Sequence, residues 1–155
     1  MSSTPLPTPA TDWETRIRQL TPSPLQSEYT EILGASPEEV FAFISDFEAL
    51  PEWMPGMNNV TVNNQQAETP GGLGAVRVIT SYGKVTQEVV RAFEPPTWLA
   101  YSATNQSLGG MYTDHLGVLI CEPEETDKTR FQGVPTRNRP TCLSCAGWEK
   151  MYLNL

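Results

Sequence analysis

Apolar and polar positions along the chain change their period repeatedly. Trp13, Ile17 and Leu20 recur at the spacing of one helix face, and Asp12 stands where an N-cap belongs. From Leu25 to Leu33 the chain alternates, with Leu25, Ser27 and Tyr29 against Gln26, Glu28 and Thr30. That predicts a strand, which Gly34 ends. Ser36-Pro37-Glu38-Glu39 then reads as a capping box with proline at the first helical position. Val40, Phe41, Phe43, Ile44 and Phe47 follow at helical spacing, so the pattern predicts an amphipathic helix running to Pro51. Trp53-Met54-Pro55-Gly56-Met57 reads as an apolar connector.

Beyond it the period is that of strands. The expected strands are Val60–Asn64, Gly74–Ser81, Val85–Phe93, Thr97–Thr104, Met111–Cys121 and Thr129–Val134. Tyr82-Gly83-Lys84 reads as a hairpin turn, Glu94-Pro95-Pro96 as a reversal, Asn105–Gly110 as a loop and Glu122–Lys128 as an acidic turn. Strands at this spacing form an antiparallel meander, one face of which must be covered, so the fold class is α+β. From Gly133 the regularity is lost, with Pro135 and Pro140 interrupting it. Cys145–Leu155 retains the spacing of a short helix through Trp148, Met151, Tyr152 and Leu155.

Composition divides the chain. Pro5, Pro7, Pro9, Pro22 and Pro24 concentrate in residues 1–24, a segment too poor in apolar surface to offset its ordering entropy. It reads as a proline-rich arm that lays Trp13 on the body, and residues 25–155 read as the folded domain. The formal charge of −8 opposes binding to nucleic acid or to an anionic membrane. No apolar run approaches the roughly 18 residues of a membrane span, and the first residues lack the features of a secretory leader, which predicts a cytoplasmic protein without stable membrane insertion. Cys121, Cys142 and Cys145 do not make a disulfide framework. Cys142 and Cys145 form one CxxC, but a zinc site needs about four ligands and the chain has 1 histidine. The expectation is reduced thiols and no metal. No nucleophile elbow, phosphate-binding loop, dinucleotide fingerprint or zincin motif is present in the sequence.

Strand alternation sorts the remaining chemistry. In Val85–Phe93, one face holds Gln87, Val89, Arg91 and Phe93. The other holds Thr86, Glu88, Val90 and Ala92, a single carboxylate among small or apolar neighbours. A carboxylate buried there must be paired, hydrogen-bonded or protonated, as a ligand anchor or a general acid or base; the plainer reading turns it to solvent. His115 shares its row with Thr113, Gly117 and Leu119, and Asp114 on the opposite face cannot orient it. Tyr101 shares a face with Leu99 and Ala103, which suits either a core or an aromatic-lined pocket. Arg77 either pairs with Glu88 across neighbouring strands or faces water.

Several phrases, taken in order, carry a resemblance. They are Asp46–Pro55 (DFEALPEWMP), Gly72–Arg77 (GLGAVR), Thr86–Pro96 (TQEVVRAFEPP), Leu99–Tyr101, Tyr112–Gly117 (YTDHLG) and Thr129–Phe131. Over about residues 25–132 the chain resembles the polyketide cyclase/dehydrase and lipid-transport family of the START/Bet v 1-like superfamily. The resemblance implies a helix-grip fold: a curved antiparallel meander, short helices after the first strand and a C-terminal helix gripped over a cavity. Here that helix would be shortened, because the tail is atypical from about residue 133. The N-terminal arm or a second subunit in a homodimer would then cover the open side. The resemblance also implies carriage of a lipid or polyketide-like hydrophobic molecule without a prosthetic group, or a cyclase/dehydratase acting on such a molecule in the same cavity. It places Glu88 and the His115 row toward the cavity and Trp53 and Met57 at its mouth. The candidate ligand-binding set is Trp53, Met57, Arg77, Ile79, Thr86, Glu88, Tyr101 and His115, with Glu88 and His115 as the candidate catalytic pair.

Overall fold

The computed structural model describes residues 13–22, 29–103 and 115–136. The proposed C-terminal helix, the CxxC, Asp12 and the first residues of the Met111–Cys121 strand lie outside them. The order of elements is α1 (Trp13–Leu20), β1 (Tyr29–Leu33), α2 (Pro37–Ser45), a 3₁₀ turn (Phe47–Ala49), α3 (Leu50–Trp53), β2 (Met57–Asn63), β3 (Val76–Ser81), β4 (Lys84–Glu94), β5 (Trp98–Ala103), β6 (Leu116–Glu125) and β7 (Lys128–Thr136).

The expected capping box forms at α2. The Glu39 amide donates to Ser36 Oγ at 3.3 Å, and the Ser36 amide donates to the Glu39 carboxylate at 2.9 Å. The backbone bond from Ser36, with the one from its hydroxyl, holds the Glu39 carboxyl below its usual range. The helix does not reach Pro51, however. It ends at Ser45, and Pro51 sits in the first turn of α3. A proline at that position loses no helical hydrogen bond, so it opens a helix here and does not close one.

The strands form one antiparallel sheet in the order β1-β7-β6-β5-β4-β3-β2, the predicted meander with its first strand returned to the far edge beside β7. Tyr82 (φ 49°) and Gly83 (φ 74°) make the β3–β4 turn, both with the positive φ that a two-residue hairpin of matching twist requires. The acidic stretch Glu122–Glu125 is not a turn. β6 continues through it, leaving Thr126 and Asp127 to reverse the chain. Across the ladder Arg130 bonds Glu124, and Lys Nζ of residue 128 lies 2.7 Å from Glu125. Those cross-strand pairs let carboxylates occupy strand positions that their polarity argues against.

Apolar side chains fill both faces of the sheet. The inner face holds Val90, Leu99, Leu119, Cys121 and Phe131 against Val40, Phe41 and Ile44 of α2 and Leu50 of α3. The outer face holds Trp98, Ala100, Leu116, Val118, Ile120 and Val134 against Ile17 of α1. The described part of the expected arm thus forms a helix, Trp13–Leu20, on the side of the sheet away from α2 and α3, and this helix does not stand over the inner face. A bulge between Val90 and Ala92 resets the alternation of β4. Ala92 consequently joins the outer cluster, while Phe93 turns inward to meet the Phe41 ring edge-on at 5.4 Å. Simple alternation had placed these two residues the other way round.

α1 docks through one stripe. Trp13 lies against Trp98 with ring centroids 5.5 Å apart, and Trp13 Nε1 donates to Glu122 at 2.9 Å. The Arg16 guanidinium lies 4.8 Å from the centre of the Trp13 ring and 4.3 Å from that of Trp98, and bonds Glu94 at 2.5 Å. The hydrogen bond from Arg16 holds the Glu94 carboxyl below its usual range. A carboxyl with a depressed folded-state pKa stabilises the docked helix above its unfolded pKa, and that contribution is lost as pH falls through the folded value. Acidification below about pH 4 will therefore loosen α1. Because Glu94 is half exposed, the effect will stay under about 1 kcal/mol. Amide exchange of residues 13–20 in wild type and Glu94→Gln at matched pH checks this: the two should differ at pH 7 and converge in acid.

Candidate functional site

Four of the sequence candidates, Arg77, Glu88, Tyr101 and His115, come together on the inner face, from β3, β4, β5 and the residue that precedes β6. Arg77 on β3 stands directly opposite Glu88 on β4, and Glu88 stands opposite Ala103 on β5. Of the two fates open to Arg77, the structure takes the pair. Its Nη2 donates to Glu88 Oε2, with side-chain exposures of 5% and 11%. Both charges have left water, so their mutual attraction must offset two desolvation penalties of several kcal/mol each.

Aromatic rings supply part of the compensation. The Arg77 guanidinium carbon lies 4.4 Å from the centre of the Phe47 ring and 4.2 Å from that of Tyr101. A desolvated cation over a ring gains about 2 kcal/mol. Phe47 arrives from the 3₁₀ turn after α2, so the break at Ser45 that contradicts the sequence reading is also what brings this ring to the site. Tyr101 leans toward β6, and it does so because Gly117 has no side chain: a Cβ there would stand 2.4 Å from the Tyr101 ring. Arg77 Nε is buried and makes no hydrogen bond among the described residues.

His115 closes the row. Its ring lies 6.3 Å from that of Tyr101, and its Nδ1 accepts from the Ala103 amide at 3.3 Å. An Nδ1 that accepts a backbone N–H is not protonated, so the neutral ring carries its proton on Nε2. Glu88 and His115 therefore flank one residue, Ala103. Ile79 is buried in the inner cluster, and Thr86, half-buried, stands opposite it in the ladder. Trp53 and Met57 belong to a separate corner where α3 meets β2: Trp53 lies on Phe43 at 5.1 Å, and both are half-buried at the margin of the inner cluster. Cys121 is buried on the inner face, and burial pushes its thiol up to about 12, so it remains an inert protonated thiol. Among the described residues, no group of three or more His, Cys, Asp or Glu could hold a metal ion, and no helix is long and apolar enough to cross a membrane.

Sequence reasoning missed Phe47 and Gly117. Phe47 was absorbed into the apolar stripe of α2. The signal for Gly117 was present: a glycine in the inward row of one strand, beside a strand that carries a tyrosine on the same face.

A long antiparallel meander with short helices after its first strand, and polar groups set into its inner face, defines the helix-grip class of α+β protein. The family model described as polyketide cyclase / dehydrase and lipid transport matches residues 25–140, and the chain belongs to that family. No curated protein matches it. Among solved structures it is similar to the protein XoxI from Bacillus cereus, at 16% identity and a TM-score of 0.60, over 83% of this chain and 95% of that one. A START superfamily protein from Mycobacterium smegmatis aligns at 15% identity and a TM-score of 0.55, over 79% of this chain and 83% of that one. Norcoclaurine synthase from Thalictrum flavum, in complex with dopamine and hydroxybenzaldehyde, aligns at 14% identity and a TM-score of 0.58, over 88% and 79%. At these identities the likeness is one of fold.

The buried pair sets a stability test. Arg77→Met or Glu88→Leu alone leaves one uncompensated buried charge and should cost about 3–5 kcal/mol, whereas the double replacement should cost far less than the sum of the two. Urea denaturation of the two single variants and the double variant checks this.

Proposed function

We propose that the inner face of this sheet binds a hydrophobic small molecule, lipid or polyketide-like, and that the protein serves as a binder or carrier. The observation that carries the reading is the Arg77–Glu88 pair, buried on a mostly apolar face and flanked by Phe47 and Tyr101. A fold that needed only stability would gain as much from apolar residues at those positions. Apolar lining with a few fixed polar groups is the composition of a small-molecule site. Membership of a family described by cyclisation, dehydration and lipid transport supports the same reading. The test is native mass spectrometry of gently purified protein together with titration of Nile red, a neutral apolar dye. The expected result is a retained apolar molecule, or saturable dye binding, weakened at least tenfold by Tyr101→Ala. A chain that retains nothing and binds no dye saturably overturns the proposal.

A catalytic reading has one observation in its favour: Glu88 and His115 flank the same residue on the inner face. In this reading the protein is a cyclase- or dehydratase-like enzyme. His115 polarises a substrate oxygen by a hydrogen bond from Nε2, because Nδ1 is engaged by the Ala103 amide and the neutral ring has no proton to give up, and the Glu88 carboxylate, paired with Arg77, takes the substrate's proton. On a polyketide-like substrate, His115→Ala and Glu88→Gln should each lower kcat by a hundredfold or more with folding retained. Unchanged turnover in both variants removes the catalytic reading and leaves binding alone.

A further inference from the structure

Resting on the binding reading, the charge balance of the row narrows the guest. A guanidinium offers five N–H donors in one plane. In Arg77, Nη2 is taken by Glu88, and the rings of Phe47 and Tyr101 lie against the group, so its remaining capacity lies with edge donors. Nε is one of them, and it is buried without an acceptor among the described residues. A buried donor left unsatisfied is costly, and any guest that brings an oxygen acceptor to it relieves that cost.

The neighbouring charge decides which oxygen fits. Glu88 already neutralises Arg77, and both are nearly out of water. A guest carboxylate would bring a second negative charge beside Glu88 in a medium of low dielectric, giving the row a net charge that no described residue of it balances. A ketone, ester carbonyl or hydroxyl brings the acceptor without the charge. We infer that the Arg77–Glu88 pair is a charge filter: it makes this site selective for neutral hydrophobic molecules bearing a carbonyl or hydroxyl group, and against their carboxylic-acid analogues. Glu88 is then the specificity-determining residue, and Arg77 the hydrogen-bond anchor.

The filter makes an inversion prediction. Naphthalene, 2-acetylnaphthalene and 2-naphthoate share one ring system and differ only in the group offered to Arg77. Their affinities can be read at pH 7.5 by displacement of Nile red. Wild type should bind 2-acetylnaphthalene at least tenfold more tightly than 2-naphthoate, and more tightly than naphthalene. In Glu88→Gln the guanidinium loses its counter-charge, so 2-naphthoate should gain at least tenfold and overtake the ketone. The double variant Arg77→Gln with Glu88→Gln keeps the row neutral without a cation. It should lose the ketone's advantage over naphthalene and gain nothing for the carboxylate, and because it holds no uncompensated charge it also serves if the single variant is unstable. Equal or tighter binding of 2-naphthoate by wild type overturns the filter while leaving the binding reading intact, as does an unchanged ketone-to-carboxylate ratio in Glu88→Gln. Failure of all three compounds and of Nile red to bind overturns both.

Discussion

A twisted antiparallel sheet with water on one side needs only one apolar face, yet the central strands here are apolar on both. β5 alternates Leu99 and Tyr101 on the inner face with Trp98 and Ala100 on the outer, and β6 does the same with Leu119 and Cys121 against Val118 and Ile120. Neither set can be left in water, because each fully buried aliphatic side chain is worth about 1.5–3 kcal/mol. The covering of the two faces is therefore the constraint from which the rest of the architecture follows. α2, the 3₁₀ turn and α3 cover the inner face from one direction, and α1 covers the outer face. Because the outer face has its own helix, the inner face can give up part of its burial to polar groups without exposing the middle of the sheet on both sides.

The division of labour explains why the two clusters of charge differ so much in setting. On the outer face Arg16 meets Glu94 near the surface, where solvent screens the pair and the contribution is small. On the inner face Arg77 meets Glu88 with almost no solvent, where the pair is expensive to form and more expensive to break. The first is a clasp that can loosen without unfolding the body. The second is part of the body, held by strand register, by two rings, and by a glycine that makes room for one of them.

Much of this could be read in the sequence, because it was specified locally. The capping box of α2, the Tyr82-Gly83 hairpin and the amphipathic stripe of α1 each need only a few adjacent residues. The Arg77–Glu88 partnership was legible only as one of two readings: the turn is Tyr82-Gly83, one residue shorter than the Tyr82-Gly83-Lys84 expected, and that length fixes the β3–β4 register and so the pair. What escaped depends on contacts distant in sequence. A bulge after Val90 reverses the facing of Ala92 and Phe93, and nothing in alternation announces it. The acidic run after Cys121 looks like a turn until Arg130 and Lys128 stand opposite it. Pro51 looks like an end until a 3₁₀ turn delivers it to the start of another helix. Phe47 reached the site by the same unannounced break, so the ring beside Arg77 was hidden in what looked like a continuous core stripe.

Burying an ion pair where leucine and methionine would pack is a poor route to stability, so its presence argues for what the pair does. Either residue alone would leave an unsolvated charge, and the pair as a neutral unit is the smallest arrangement that keeps a strong hydrogen-bond donor inside an apolar face. Phe47 and Tyr101 deepen the desolvation and hold the guanidinium in place, while Gly117 lets the tyrosine lie over the neighbouring strand. His115, oriented by the Ala103 amide, adds a second donor at the end of the same row. A row that offers donors yet carries no net charge suits oxygen atoms better than anions. In the proposed binding role, that chemistry would discriminate among hydrophobic molecules by the one part of them that is not hydrophobic.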